Sequence, residues 1–161
     1  MKKKHHHLNV EKCGIFFMKN YPMLIASPDR IVSCECCTEK SVLEVKCPWI
    51  SRGRDVRTVN LPYLFMENGE LKINRKHIYF THLQMQLACT GLKHAYFVIW
   101  SNKSTVILKE KFDENFWNKT KVKLEKYYLQ KYLKYWFSKE KKNNKQKKNN
   151  NELSSFLGRR K

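Results

Sequence analysis

No stretch of the 161 residues approaches the roughly 18 consecutive apolar positions that a membrane-spanning helix needs, and the start carries no apolar segment of a secretory leader. An intracellular protein without a membrane partner is therefore expected. Acidic residues are scarce, 14 against 33 lysines and arginines, which leaves a net charge of +19. That excess goes beyond what solubility requires and suits a polyanion, nucleic acid first. Most of the basic residues lie ahead of residue 138, so the charge belongs to the folded part as well as to the tail. There is no internal repeat, and 42% hydrophobic with 13% aromatic residues supplies one packed domain, not two. Six cysteines in an intracellular chain read as reduced thiols, not as a disulfide framework. His5, His6 and His7 fit a tag remnant, a weak metal-binding tract or a natural accident, and have no part in the site.

The pattern along the chain divides it into a basic, featureless extension over 1–12, a folded domain over 13–138 and a disordered basic tail over 139–161. Within the domain, Met23 to Ser27 and Ile31 to Ser33 are short apolar runs interrupted by Pro28-Asp29, a kinked strand or hairpin arm. Ser41 to Cys47 is a β-branched, alternating run ended by Pro48, with a cysteine-bearing turn before it. Residues 51–76 are polar and read as a long loop or excursion. A helix is expected over 81–92, with Leu83 and Leu87 on one face and Gly91 stopping it. Strands over 95–100 and 105–109 follow, joined by a turn. A last helix runs from an Asp113 cap to about Ser138, with Phe116, Trp117, Leu124, Tyr128, Tyr132 and Trp136 on a docking face.

In Leu43-Glu44-Val45-Lys46 an acid and an amine stand two apart on a strand, so both project from one face while Val45 turns away into the core. If the preceding arm pairs with this strand, Asp29 reaches the same face. Two carboxylates and the Val45 carbonyl make an oxygen-rich site for magnesium or manganese, the cations that gather water and offset phosphate charge in phosphodiester hydrolysis. Lys46 would lower the pKa of the attacking water by its charge or, if deprotonated, take the proton. Gln84 and Gln86 on the following helix offer neutral amides to steady the lysine or the water. Standing alone, Glu44 and Lys46 would read as an exposed ion pair.

They do not stand alone. Ala26-Ser27-Pro28-Asp29, then Leu43-Glu44-Val45-Lys46-Cys47-Pro48, then Tyr79-Phe80-Thr81-His82-Leu83-Gln84-Met85-Gln86-Leu87-Ala88-Cys89-Thr90-Gly91 resemble, in that order, the PD-(D/E)xK nucleases, specifically their lambda-type exonuclease and YqaJ-like viral recombinase branch. The resemblance covers about Gly14 to Leu108. It implies an α/β, restriction-endonuclease-like core, a central mixed sheet flanked by helices. It implies a metal-dependent exonuclease on double-stranded DNA serving recombination, with Asp29 and Glu44 as magnesium ligands, Lys46 as the catalytic lysine, Gln84 as the supporting glutamine and Ser27 near the DNA. Ring-shaped trimers occur in the family, so a homo-oligomer is among the expectations, although no interface is legible here. Arg30 replaces a glycine common after the aspartate, and His82 replaces the helix's first glutamine. The helices that usually precede this region, with their phosphate-binding arginine, have no counterpart here, so a catalytically inactive nucleic-acid-binding relic or a fragment is the alternative.

Arg52, Arg54, Arg57, Arg75 and Lys76 are expected to line a DNA groove and to bind mainly phosphates; a solvated loop is the plainer reading. Cys34, Cys36, Cys37 and Cys47 are candidates for a structural zinc, with spacing unlike the usual paired knuckles, so buried or free thiols are the plainer reading. A zinc-stabilised interaction domain is thereby a third function class. His77 and His82 read as surface or satisfied helix residues. The tail reads as a non-specific DNA-binding arm or a nuclear import signal, which would place the protein in the nucleus of a eukaryote.

Overall fold

The computed structural model describes residues 7–141, in two compact units that divide after Trp117. In the first unit, strands β1 (Leu8–Glu11), β4 (Arg30–Cys34), β5 (Cys37–Lys46), β8 (His94–Trp100) and β9 (Thr105–Lys111) form one sheet in the order β1-β4-β5-β8-β9. Only the central β5·β8 pair is parallel. Two hairpins stand beside it, β2 (Phe16–Met18) with β3 (Tyr21–Ala26) and β6 (Leu64–Glu67) with β7 (Glu70–Ile73). The parallel pairing obliges the chain to cross over between β5 and β8, and helix α1 (Ile78–Thr90) lies in that crossover.

Helix α1 begins earlier than the periodicity implies. His77 caps it, its Nδ1 accepting from the Tyr79 N–H at 3.2 Å, and histidine is a weak cap signal in a sequence. It ends as expected at Gly91, whose φ of 70° closes the helix with an N–H bond to the Leu87 carbonyl. Ile31, Val42, Ala95, Phe97, Ile99 and Val106 on one sheet face, with Phe80, Leu83 and Leu87 of α1, make up most of the core.

Three expectations need correcting. Val45 does not enter that core, because alternation along β5 gives Val42, Glu44 and Lys46 to the α1 side and sets Leu43 and Val45 on the opposite face. There they join Val10, Val32, Tyr96, Val98 and Ile107, of which Val10 and Ile107 are exposed. The extension before Gly14 is not featureless, since Leu8–Glu11 pairs antiparallel with β4, an alternation too short to stand out. The polar excursion over 51–76 also contributes to the core, through buried Val56, Leu61, Tyr63 and Ile73. These apolar residues are scattered without a period, so pattern reading passes over them. Asn68-Gly69 closes the β6·β7 hairpin, both residues at positive φ, the conformation that asparagine and glycine tolerate best.

Helix α2 (Glu114–Tyr127) starts where expected, with Asp113 Oδ1 accepting from the Phe116 N–H at 2.8 Å. Phe116 packs edge-on against Phe80 with centroids 4.9 Å apart, and Trp117 is buried. In the second unit, the helix continues through a π-helical stretch (Tyr128–Tyr132) to residue 141. Tyr132 and Trp136, expected on a docking face, are exposed. The tail beyond 141 and residues 1–6 lie outside the described residues.

The Phe116 N–H and then the Arg75 guanidinium hold the Asp113 carboxyl below the usual carboxylate range. A depressed folded pKa contributes stability above the ordinary carboxylate value, and that stability is lost as pH falls through the folded pKa. Asp113→Ala is therefore expected to cost about 1 kcal/mol near neutral pH, and thermal unfolding curves of variant and wild type should converge in acid.

Candidate active site

The site forms at the carboxyl end of β5, beside the matching end of its parallel neighbour β8, where open α/β sheets commonly bind ligands. Arg30 pairs with Leu43, so Asp29 stands one step beyond the ladder, across from Glu44. Its carboxylate continues the hydrogen bonding of the strand, Oδ2 accepting from the Val45 N–H at 2.8 Å. Upstream, the Cys13 thiol donates to the Pro28 carbonyl at 3.2 Å and helps hold the turn. Arg30 sits in ordinary β4 conformation, so replacing the glycine does not strain the backbone.

Glu44 is 3% exposed, and a carboxylate so buried needs partners. Oε1 accepts from Lys46 Nζ and lies 3.5 Å from His82 Nδ1, while Oε2 accepts from Gln86 Nε2 at 2.7 Å. Lys46 Nζ also lies 5.2 Å from the centroid of the Tyr79 ring, and Tyr79 packs with Tyr63, His77 and Phe97. That aromatic floor positions the ammonium. Burial, with Tyr79 and Cys47 nearby, pushes the Tyr63 hydroxyl up to about 12, so Tyr63 is a neutral phenol at working pH.

The two glutamines have different roles. Gln84, expected as the supporting amide, is fully buried on another side of α1, donating to the Lys111 carbonyl at 3.0 Å and accepting from the Asp113 N–H at 2.8 Å. Gln86 is the amide on Glu44. Residues two apart on a helix are about 200° apart around its axis, so one register cannot give both the same partner. His82 and Tyr79 are the site neighbours that pattern reading left without a role; their presence in the matched helix motif was the available signal.

Among the expected DNA contacts, Arg52, Arg54, Arg57, Arg75 and Lys76 are exposed, as is Ser27, whose hydroxyl donates to the Gly14 carbonyl. The Arg52 guanidinium lies 4.5 Å from the Trp49 ring centroid, and Trp49 and Ile50 project into solvent just beyond the site strand. Arg57 pairs with Asp55, whereas Arg75 is held by Asp113 and stacks over Phe80 at 4.6 Å. The loop bearing Arg52 and Arg54 is anchored to the β8·β9 turn, with Asn102 accepting from Gly53 N–H at 2.7 Å and Ser104 from Val56 N–H at 2.8 Å.

Of the four candidate zinc cysteines, Cys34, Cys36 and Cys37 come together, their sulfurs within 4.8 Å of one another. Cys47 does not join them, because the tight β4·β5 turn holds the three at one end of β5 and Cys47 follows the other end.

Among the described residues no helix is long and apolar enough to cross a membrane. The fold is similar to that of an alkaline exonuclease. The crystal structure of the alkaline exonuclease from Laribacter hongkongensis superposes with a TM-score of 0.60 at 17% identity, over 85% of this chain and 64% of that one. The same enzyme in complex with dAMP matches equally, again with a TM-score of 0.60. No curated protein is matched. The chain belongs to the YqaJ-like viral recombinase domain family, whose model matches residues 3–93, more than half of the 161.

Proposed function

We propose that this protein is a metal-dependent deoxyribonuclease, an exonuclease on double-stranded DNA that works in recombination inside the cell. One observation carries the reading. Asp29, Glu44 and Lys46 meet at the carboxyl end of β5, with Asp29 bonded to the residue between the other two and Gln86 and His82 closing on Glu44 from α1. The oxygen donors of Asp29, Glu44 and the Val45 carbonyl suit a hard divalent cation, magnesium or manganese. Bound there, it would supply Lewis-acid stabilisation of the charge that develops on the phosphate.

The protein's own groups do the remaining work. Lys46, steadied over Tyr79, is placed to hold the attacking water by its ammonium group and to offset negative charge on the phosphate. Gln86 fixes the Glu44 carboxylate without adding charge. Arg52, Arg54 and Lys76 are exposed and bind the phosphate backbone without regard to sequence. The Arg52→Ala/Arg54→Ala double variant is expected to weaken duplex binding uniformly across sequences. Its log–log salt slope should fall by about 2, since each phosphate contact contributes about 0.9.

The chain spans 64% of the length of the exonuclease it superposes on, and both Glu44 oxygens are engaged by protein groups. The engagement of both Glu44 oxygens favours a second reading, a DNA-binding domain that does not cut. Incubating the purified chain with linear and covalently closed duplexes in magnesium separates the two. Loss of linear DNA alone supports the exonuclease. Tight binding with both substrates intact leaves the binding domain.

A further inference from the structure

The three thiols at the β4·β5 turn lie outside the site described above and have no part in its chemistry. Cys34 and Cys37 are directly opposed in the hairpin register, and Cys36 Sγ approaches Cys34 Sγ to 3.4 Å. Around a zinc ion with Zn–S bonds of about 2.3 Å at tetrahedral angles, sulfurs sit about 3.8 Å apart. Three sulfurs within 4.8 Å of one another are therefore near that shell before any ion is bound. No fourth cysteine, histidine or carboxylate joins the group among the described residues, which leaves one position for solvent or an outside donor. The donors are also selective, because soft thiolates prefer zinc to the hard cations that suit the carboxylates of Asp29 and Glu44. We propose that Cys34, Cys36 and Cys37 bind one zinc ion that clamps the β4·β5 hairpin.

The hairpin gives the clamp a purpose. Its register shifts between Val32 and Cys34, so the turn end carries an irregularity close to the thiols. From Cys37 to Glu44 is seven residues of strand, about 23 Å, too far for the ion to touch the site. Register is what it governs. A slip of one residue would carry Glu44 and Lys46 from the α1 face to the opposite one, and closing the turn with a metal opposes that slip.

The test uses the full reduced chain and cobalt(II) as a spectroscopic stand-in. One equivalent is expected to produce a thiolate-to-cobalt charge-transfer band in the near ultraviolet that one equivalent of zinc removes. Cys34→Ser, Cys36→Ser and Cys37→Ser should each lose the band. Cys47→Ser, and a variant with His5, His6 and His7 changed to alanine, should keep it. Because a serine variant can fail to fold, wild type is also alkylated with and without zinc and its cysteines mapped by mass. Zinc should protect Cys34, Cys36 and Cys37 and leave Cys47 as reactive as before. A reduced wild-type chain without the band, a band that survives Cys34→Ser and Cys37→Ser, or protection that extends equally to Cys47 overturns the proposal.

Discussion

Lys46→Ala is expected to lower the magnesium-dependent rate of DNA cleavage by about 10²–10⁴-fold, the range that a positioned proton-handling group contributes. The fold should survive the change. Glu44 keeps His82 and Gln86, and the lost side chain leaves the rim of the aromatic floor and not the middle of the core. Lys46→Arg keeps the charge but should recover little, because a planar guanidinium cannot reproduce a compact ammonium seated between Glu44 and the Tyr79 ring. Single-turnover rates at saturating protein check both, since they separate the chemical step from DNA binding. A Lys46→Ala chain that cuts at the wild-type rate would remove Lys46 from the mechanism.

The second large effect separates the two glutamines. Gln84→Ala leaves the Lys111 carbonyl and the Asp113 N–H without their buried partner, at about 1–3 kcal/mol for each stranded group. The two stranded groups together give a loss of about 2–6 kcal/mol in stability, to which the void adds. The activity of the molecules that remain folded should hardly change. Gln86→Ala acts in the opposite sense, withdrawing the donor from Glu44 Oε2 and freeing the carboxylate to turn. Loss of an orienting partner of this kind costs about 10–100-fold in activity or metal affinity. Melting temperature and cleavage rate measured on the same two preparations decide the matter. A Gln84→Ala chain with unchanged melting and lost activity would contradict this division of labour.

The shared face of Glu44 and Lys46 is readable from spacing, whereas their role rests on the resemblance that the three motifs carry. Two residues apart on an extended strand means one face, which ties Glu44 to Lys46, and Pro28-Asp29 just ahead of a partner strand brings Asp29 to the same end. Strands β8 and β9 and helix α1 show equally well, because β-branched alternation and a closing glycine are strong local signals. The face that α1 presents was not readable. Phe80, Leu83, Gln84, Gln86 and Leu87 are all buried, so the helix has no polar stripe to say which glutamine meets Glu44. His82 was hidden for a related reason, since a lone histidine on a helix is ordinary until a buried carboxylate is found beside it. The core residues of the 51–76 excursion, Val56, Leu61, Tyr63 and Ile73, stand at irregular intervals, which leave no period in the sequence.

The most direct test of the central claim is nucleotide release from an end-labelled linear duplex, held with the purified chain in chelator and then given excess magnesium, for wild type and Glu44→Gln side by side. Release that begins with magnesium in the wild type and is absent in Glu44→Gln, with duplex binding equal in both, is the predicted result. Release that ignores magnesium, or that continues in Glu44→Gln, would contradict a metal-dependent site built on Glu44.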